Sequence, residues 1–157
     1  MKAILKGLAL ALLAFSVSAY AIETKEGHGS PQEAIALVKQ IIEYYKENGR
    51  EKTFAEINGQ SQQFVNKDLY VFAGGVESGS LTLAHGDNPK LVGTSMRATT
   101  DVDGHYFARR IVEIAQSKAG KGWVDYRWPN PVTKELEQKS SYIERVDDIW
   151  FGCGIYR

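Results

Sequence analysis

A chain of 157 residues has room for one domain with a real core and too little for two. Its composition, 43% hydrophobic and 24% charged, is that of an ordinary globular protein and excludes disorder, collagen-like repeats and a multi-span membrane protein. Lysine plus arginine equals aspartate plus glutamate at 19 each, so no net field recruits nucleic acid, and one cysteine with three scattered histidines excludes a disulfide scaffold and a structural zinc module.

The first predicted element is a leader. Lys2 and Lys6 precede an uncharged apolar run over residues 7–17, and Ala19 and Ala21 fit the small-residue pocket of a signal peptidase. Cleavage is expected before Ile22, leaving residues 22–157 as an exported, slightly acidic domain. An apolar run of about 11 to 15 residues falls short of the roughly 20 that span a bilayer, so no stable membrane anchor is expected after cleavage. The expected location is the periplasm or the medium outside a bacterial cell. In that oxidising setting the lone Cys153, inside an apolar run over residues 149–155, reads as a buried structural residue and not as a nucleophile.

Ser30-Pro31-Gln32-Glu33 is a capping box and predicts a helix start. Ile35, Val38, Ile42 and Tyr45 then recur at spacings of three and four, an apolar stripe that ends near Asn48-Gly49. A second short helix over residues 51–58 offers Phe54 and Ile57 to the same side. From Asp68 the pattern becomes β-rich: residues 69–73 and 81–85 read as a hairpin around Gly74-Gly75-Val76-Glu77-Ser78-Gly79-Ser80. After a loop through Asn88-Pro89 and Gly93, a helix places Phe107, Ile111, Ile114 and Ala115 on one face and ends within residues 118–122. Three strands follow, over residues 123–128, 139–146 and 149–156, the last two joined by the two-residue turn Asp147-Asp148. This order predicts an α+β domain with a five-stranded antiparallel sheet. The amino-terminal helix would cover one face and the middle helix and loops the other, leaving a pocket where the loops do not fill the space.

Catalytic motifs are missing. Gly75 to Gly79 fails the spacing of a nucleophile elbow, and no H-E-x-x-H, P-loop or dinucleotide fingerprint occurs. Asp101-Val102-Asp103-Gly104 opens like a calcium loop, but Val112 stands where the bidentate glutamate would be needed, so helix capping is the better reading. No metal site, cofactor or catalytic residue is expected, and the chain does not read as an enzyme. His85 ends an apolar strand without a sequence partner, which suits a structural role or a polar contact to a ligand better than acid–base work.

The segment Trp123-Val124-Asp125-Tyr126-Arg127-Trp128-Pro129 has the composition of a recognition surface, with Val124, Tyr126 and Trp128 on one strand face. Core packing explains the same residues equally well. Lys139, at the start of the next strand, is either solvated or a point charge offered to a carboxylate in the pocket; Arg127 is the competing cation but alternates away from Tyr126 and Trp128. Gly152 and Gly154 share a face in the last strand and permit close approach by a ligand or another backbone.

Several segments in this order resemble a known family. They are Asp68-Leu69-Tyr70-Val71-Phe72, Leu83-Ala84-His85, Asn88-Pro89, Asp103-Gly104, the Tyr126-to-Pro129 element, Lys139-Ser140-Ser141-Tyr142 and Gly152-Cys153-Gly154-Ile155-Tyr156. The chain resembles a single Cache domain of the second single-Cache class, a PAS-like extracytoplasmic sensor module of bacterial chemoreceptors and histidine kinases. The resemblance implies a PAS-like fold and a small ligand, such as a short organic acid, held between the sheet and its overlying helix and loops. Candidate ligand contacts are Phe72, His85, Tyr106 and Tyr126, with Trp128, Lys139 and Tyr142. The hairpin departs from the family's Asp-Gly turn. Receptors flank this domain with membrane helices, so the expectation here is a stand-alone exported domain that binds a small carboxylate and presents it to a membrane receptor or sensor kinase in trans. The rival expectation is a protein-interaction module with a degenerate pocket.

Overall fold

The computed structural model describes residues 27–77 and 81–157; the expected leader over residues 1–21 lies outside them, as does the tip of the hairpin at residues 78–80. Helix α1, Pro31–Asn58, begins where the capping box predicts, with Ser30 Oγ accepting from the Glu33 N–H and Glu33 Oε2 accepting from the Ser30 N–H. The Lys67 ammonium and the Ser30 backbone together hold the Glu33 carboxyl down at about 2. The predicted break is also present: Gly49 takes φ 78°, a left-handed value that interrupts the helix and leaves two helical pieces joined at a kink. A short 3₁₀ turn, Gln62–Phe64, follows.

The strands are β1 (Val65–Asn66), β2 (Leu69–Gly75), β3 (Thr82–His85), β4 (Lys121–Pro129), β5 (Leu136–Val146) and β6 (Ile149–Tyr156). All pairings are antiparallel in the order β1-β2-β6-β5-β4, with β3 also on β2. The sequence pattern predicts five strands; the sixth, β1, is a two-residue stub hydrogen-bonded to the start of β2. Asp147, at φ 52°, makes the tight β5–β6 turn. Helix α2, Phe107–Gln116, packs against β4 and β5.

The sheet separates two cores, and the period of two along each strand decides which residues join which. Val71, Ala73, Phe151, Cys153 and Ile155 face α1 and pack on Leu37, Val38, Ile41, Ile42 and Ile57. Tyr70, Phe72, Val124, Tyr126, Ile143 and Trp150 face α2 and pack on Phe107, Ala108, Ile111 and Ala115. Cys153 is fully buried in the first core, and burial pushes its thiol up to about 12. Among the described residues, no helix is long and apolar enough to cross a membrane.

The Asp101 segment corrects the capping assignment. Helix α2 starts six residues later, with Tyr106 at its N-cap and no side-chain cap bond. Asp101 instead pins a loop to the sheet: Oδ1 accepts from the Asp103 and His105 N–H groups, and Oδ2 accepts from the Arg127 N–H of β4. A carboxylate holding three backbone donors orders the crossover leading into α2.

Candidate functional site

On the α2 face the packing is incomplete. A cavity of about 40 Å³ lies between the sheet and α2, and its walls come from five strands, the crossover and α2: Tyr70 and Phe72 on β2, Thr82 and His85 on β3, Met96 in the crossover, Phe107, Ala108 and Ile111 on α2, Tyr126 and Trp128 on β4, Lys139 on β5 and Trp150 on β6. One water needs about 10–15 Å³ of such space, so the cavity matches a molecule of a few non-hydrogen atoms. Its walls are dominated by aromatic rings. Phe107 stacks on Tyr126 at 4.5 Å, and His85 lies 5.1 Å from Tyr70, 5.9 Å from Phe72 and 6.4 Å from Trp128, centroid to centroid.

Into this apolar box projects Lys139, only 1% exposed. Its Nζ donates to the Tyr70 hydroxyl at 2.6 Å and lies 4.0, 4.9 and 5.2 Å from the Tyr70, Tyr156 and Phe72 ring centroids. Among the described residues no carboxylate stands within ion-pair distance of it. Buried charges are otherwise paired, because an ion removed from water loses far more than ring contacts restore. Desolvation brings the Lys139 ammonium down to about 7. The stem is accommodated by Gly154 on the neighbouring strand, where any Cβ would overlap Lys139 Cε and Ser141 Oγ. Gly152 plays the same part for Phe72. The paired glycines thus make room for side chains of the cavity, and not for another backbone.

Hydroxyls behind Lys139 form a chain with one direction. Tyr70, having accepted from the ammonium, lies 3.3 Å from the Tyr156 hydroxyl, which donates to the Pro129 carbonyl at 3.0 Å. Tyr70 must therefore donate to Tyr156, and each link polarises the next. His85 is fixed in a single neutral form: its Nδ1 accepts from the Asn88 N–H at 3.0 Å, so the ring proton sits on Nε2. Burial first and the nearby Lys139 charge second lower its pKa to about 3. It therefore lines the cavity as a neutral N–H donor.

Of the residues singled out from sequence, the structure brings Phe72, His85, Tyr126, Trp128 and Lys139 together on this cavity. It places two elsewhere. Tyr142 lies three residues beyond Lys139, and a strand's period of two turns it to the opposite face, where it packs in the α1 core with its hydroxyl donating to Glu144. Tyr106 stands at the start of α2, 46% exposed, under the Arg109 guanidinium at 3.9 Å. Arg127 faces away as expected, its Nη2 donating to the Leu136 carbonyl. The Tyr126 hydroxyl is already engaged, 2.9 Å from Ser141 Oγ, so its ring, not its hydroxyl, is what the cavity meets. Tyr70, Phe107 and Trp150 escape the sequence reading as site residues. Tyr70 is recoverable, since it alternates with Phe72, and so is Trp150, which shares a face with Gly152 and Gly154.

For a metal ion, Asp101, Asp103 and His105 are the one group of the described residues whose ligand atoms come within 4.8 Å of one another. The buried Asp101 carboxylate there already serves three backbone N–H groups, and the other two side chains are exposed.

Comparison with known proteins gives a consistent set of relatives. The family model described as single Cache domain 2 matches residues 9–156. A methyl-accepting chemotaxis protein, McpP of Pseudomonas putida, is 35% identical over 81 residues, which is 50% of this chain and 14% of that receptor, so the chain matches only a small part of its relative. Among solved structures, a methyl-accepting chemotaxis protein from Vibrio parahaemolyticus superposes with a TM-score of 0.68 at 19% identity, covering 80% of this chain and 86% of that one. A second, described as a Cache chemosensory domain that recognises carboxylic acid, gives 0.66 at 24% identity over 80% and 91% of the two chains. At these identities the superpositions establish the shared fold.

Proposed function

We propose that this chain, which belongs to the single Cache domain 2 family, is an exported sensor-type binding domain for a short monocarboxylate and carries out no chemistry on it. The observation that carries the reading is Lys139: a buried ammonium with no carboxylate beside it among the described residues, aimed into an aromatic cavity of about 40 Å³. Such a site is electrostatically incomplete until an anion enters, and its volume suits an acid of a few carbons. Phe72, Tyr126 and Trp128 form the apolar wall around the acid's alkyl part, while His85 Nε2–H and Lys139 Nζ supply donors for its oxygens. The name of the carboxylic-acid-recognising Cache structure and the likeness to a chemotaxis receptor support the same direction. In this reading the domain reports the acid to a membrane chemoreceptor or sensor kinase, in trans where it is released as a separate exported chain.

Thermal-shift and calorimetric titration with acetate, propanoate, butanoate and the matching primary amines tests it. The acids should stabilise the fold by mass action and the amines should not. Stabilisation by amines alone, or by neither class at millimolar concentration, would overturn the carboxylate assignment.

A further inference from the structure

Among the described residues β4 is an edge strand, paired with β5 on one side only. The Arg127 N–H donates away from β5, to Asp101 Oδ2, and this sets the direction of the whole strand. Lys121, Trp123, Asp125 and Arg127 turn their backbone N–H and C=O groups outward, and the residues between them bond to β5. Asp101 occupies the edge at Arg127. From Lys121 to Asp125 the edge is open among the described residues, and an open edge is a template for another strand. The side chains of Lys121, Trp123 and Asp125 alternate away from Val124 and Tyr126 and are all exposed. Trp123, 39% exposed, lies 5.4 Å from the Tyr142 ring on the α1 side of the sheet, where α1 itself packs on β2, β3, β5 and β6. The two charges that flank this indole have no ion-pair partner among the described residues. Asp125 accepts from the Ser140 hydroxyl, and Glu144, opposite Lys121 on β5, is already held by Lys39 and the Tyr142 hydroxyl.

We propose that the Lys121–Asp125 edge of β4 joins two copies of this chain into a symmetric dimer with one continuous antiparallel sheet, its twofold axis passing through Trp123. In that register Trp123 faces the partner's Trp123, and Lys121 faces the partner's Asp125 on both sides of the axis. The outward N–H and C=O groups of these residues then bond across the axis. Charge selects the register. An axis through Lys121 or through Asp125 sets like charges directly opposite each other, and an axis displaced by one residue leaves Asp125 facing no cation. Gly122 meets the partner's Val124 at the more closely spaced position of the ladder, where it adds no side chain to crowd it. The proposal is independent of what the cavity binds, since Lys121, Trp123 and Asp125 do not line it.

One short ladder is a small interface, so association should be weak, with Kd on the order of 10–1,000 μM. Sedimentation velocity on the whole chain, from about 5 μM to about 1 mM, should show a reversible monomer–dimer equilibrium that weakens with added salt. Lys121→Asp and Asp125→Lys each set like charges opposite one another on both sides of the axis and should weaken association about tenfold or more. An equimolar mixture of these two variants should associate where neither does alone, and the double variant should return to within about threefold of the unmutated chain. Within one extended strand the two positions lie about 13 Å apart, too far to pair, so either rescue requires a second copy. Thermal melts establish that each variant is folded. In the unmutated chain, the Trp123 and Asp125 amides should exchange with deuterium more slowly as concentration rises. A chain that stays monomeric throughout, a dimer that neither single reversal weakens, as one built on α1 would be, absence of rescue in both the mixture and the double variant, or amide exchange independent of concentration would each overturn the proposal.

Discussion

Replacing Lys139 by methionine should make the protein more stable and, at the same time, a much weaker binder of the proposed carboxylate. Methionine keeps an unbranched stem in the space left by Gly154 but brings no charge into the aromatic box. An unfolded lysine titrates near 10.5, and burial lowers this one to about 7. At about 1.36 kcal/mol per unit, holding the residue in the fold near neutral pH costs on the order of 4 kcal/mol. Losing the bond to Tyr70 gives back about 1–2 kcal/mol, so Lys139→Met should gain about 2–3 kcal/mol and raise Tm by roughly 5–15 °C. The pH dependence carries its own signature. From about 7 up to 10.5 the unfolded chain holds a proton here that the folded chain lacks, so the unliganded protein gains stability with rising pH, by up to about 1.4 kcal/mol per unit, and the methionine variant does not. Binding runs the other way. A carboxylate needs the ammonium, so affinity should fall above pH 7, approaching tenfold per unit, and calorimetry at pH 8 in buffers of different ionisation enthalpy should register nearly one proton taken up per acid bound. The lost charge-assisted bond is worth about 1.5–3 kcal/mol, or ten- to more than a hundredfold in affinity. Urea unfolding and calorimetry across pH 6–9 on both proteins decide the matter. A variant less stable than its parent that still binds propanoate with unchanged affinity would refute the reasoning.

Other expectations follow from single contacts. Tyr126→Phe should lower stability by about 0.5–1.5 kcal/mol through loss of the Ser141 bond, with acid affinity within about twofold by titration, because that hydroxyl is already engaged. Gly154→Ala should displace the Lys139 stem and weaken acid binding more than tenfold, with a stability loss of about 1–3 kcal/mol visible in the same melts. Lowering the pH from 6.5 towards 3 should destabilise the fold through His85, which stays neutral when folded and takes up a proton when unfolded; His85→Gln should flatten that limb of the stability profile. Cys153 should resist iodoacetamide at pH 8 until the protein is denatured, as mass spectrometry would show.

The fold is legible in the sequence because its local signals are strong and agree with one another. The capping box at Ser30 and the glycine break at Gly49 appear where the sequence pattern puts them, and so does the Asp147-Asp148 turn. The two-residue β1 carries no pattern of its own and exists only because the chain passes β2 at hydrogen-bonding distance. Asp101 misleads for a related reason. An aspartate a few residues before an apolar periodic segment looks like a cap, and only the crossover's path shows that its acceptors are taken by its own loop and by β4. In the site, alternation decides which residues meet the cavity: it puts Tyr126 and Trp128 together, and the odd spacing between Lys139 and Tyr142 sets them on opposite faces of one strand. What alternation cannot supply is depth. Nothing local distinguishes a solvated lysine at a strand start from one that is 1% exposed, since burial is decided by α2 and by the glycines of a different strand.

The two faces of the sheet differ in a way that supports the proposed reading of the cavity as a binding site. On the α1 face, Ile41, Val71, Phe151 and Cys153 close a core of packed apolar side chains. On the α2 face the same sheet presents an ammonium, an indole N–H and a tautomer-locked imidazole, none with an acidic partner in the described structure. A core selected only for stability would replace them with leucine and phenylalanine at no loss of shape, and by the arithmetic for Lys139 it would gain several kcal/mol, a large fraction of what keeps a domain of this size folded. Under the proposed carboxylate reading, their presence marks a site whose electrostatics an entering anion completes, and the free domain holds charge burial that the anion relieves. Acid binding should then tighten the α2 face more than the α1 face, an asymmetry that hydrogen exchange measured with and without propanoate would reveal in α2, β3 and β4; equal protection on both faces would mean that Lys139 is already satisfied in the free state.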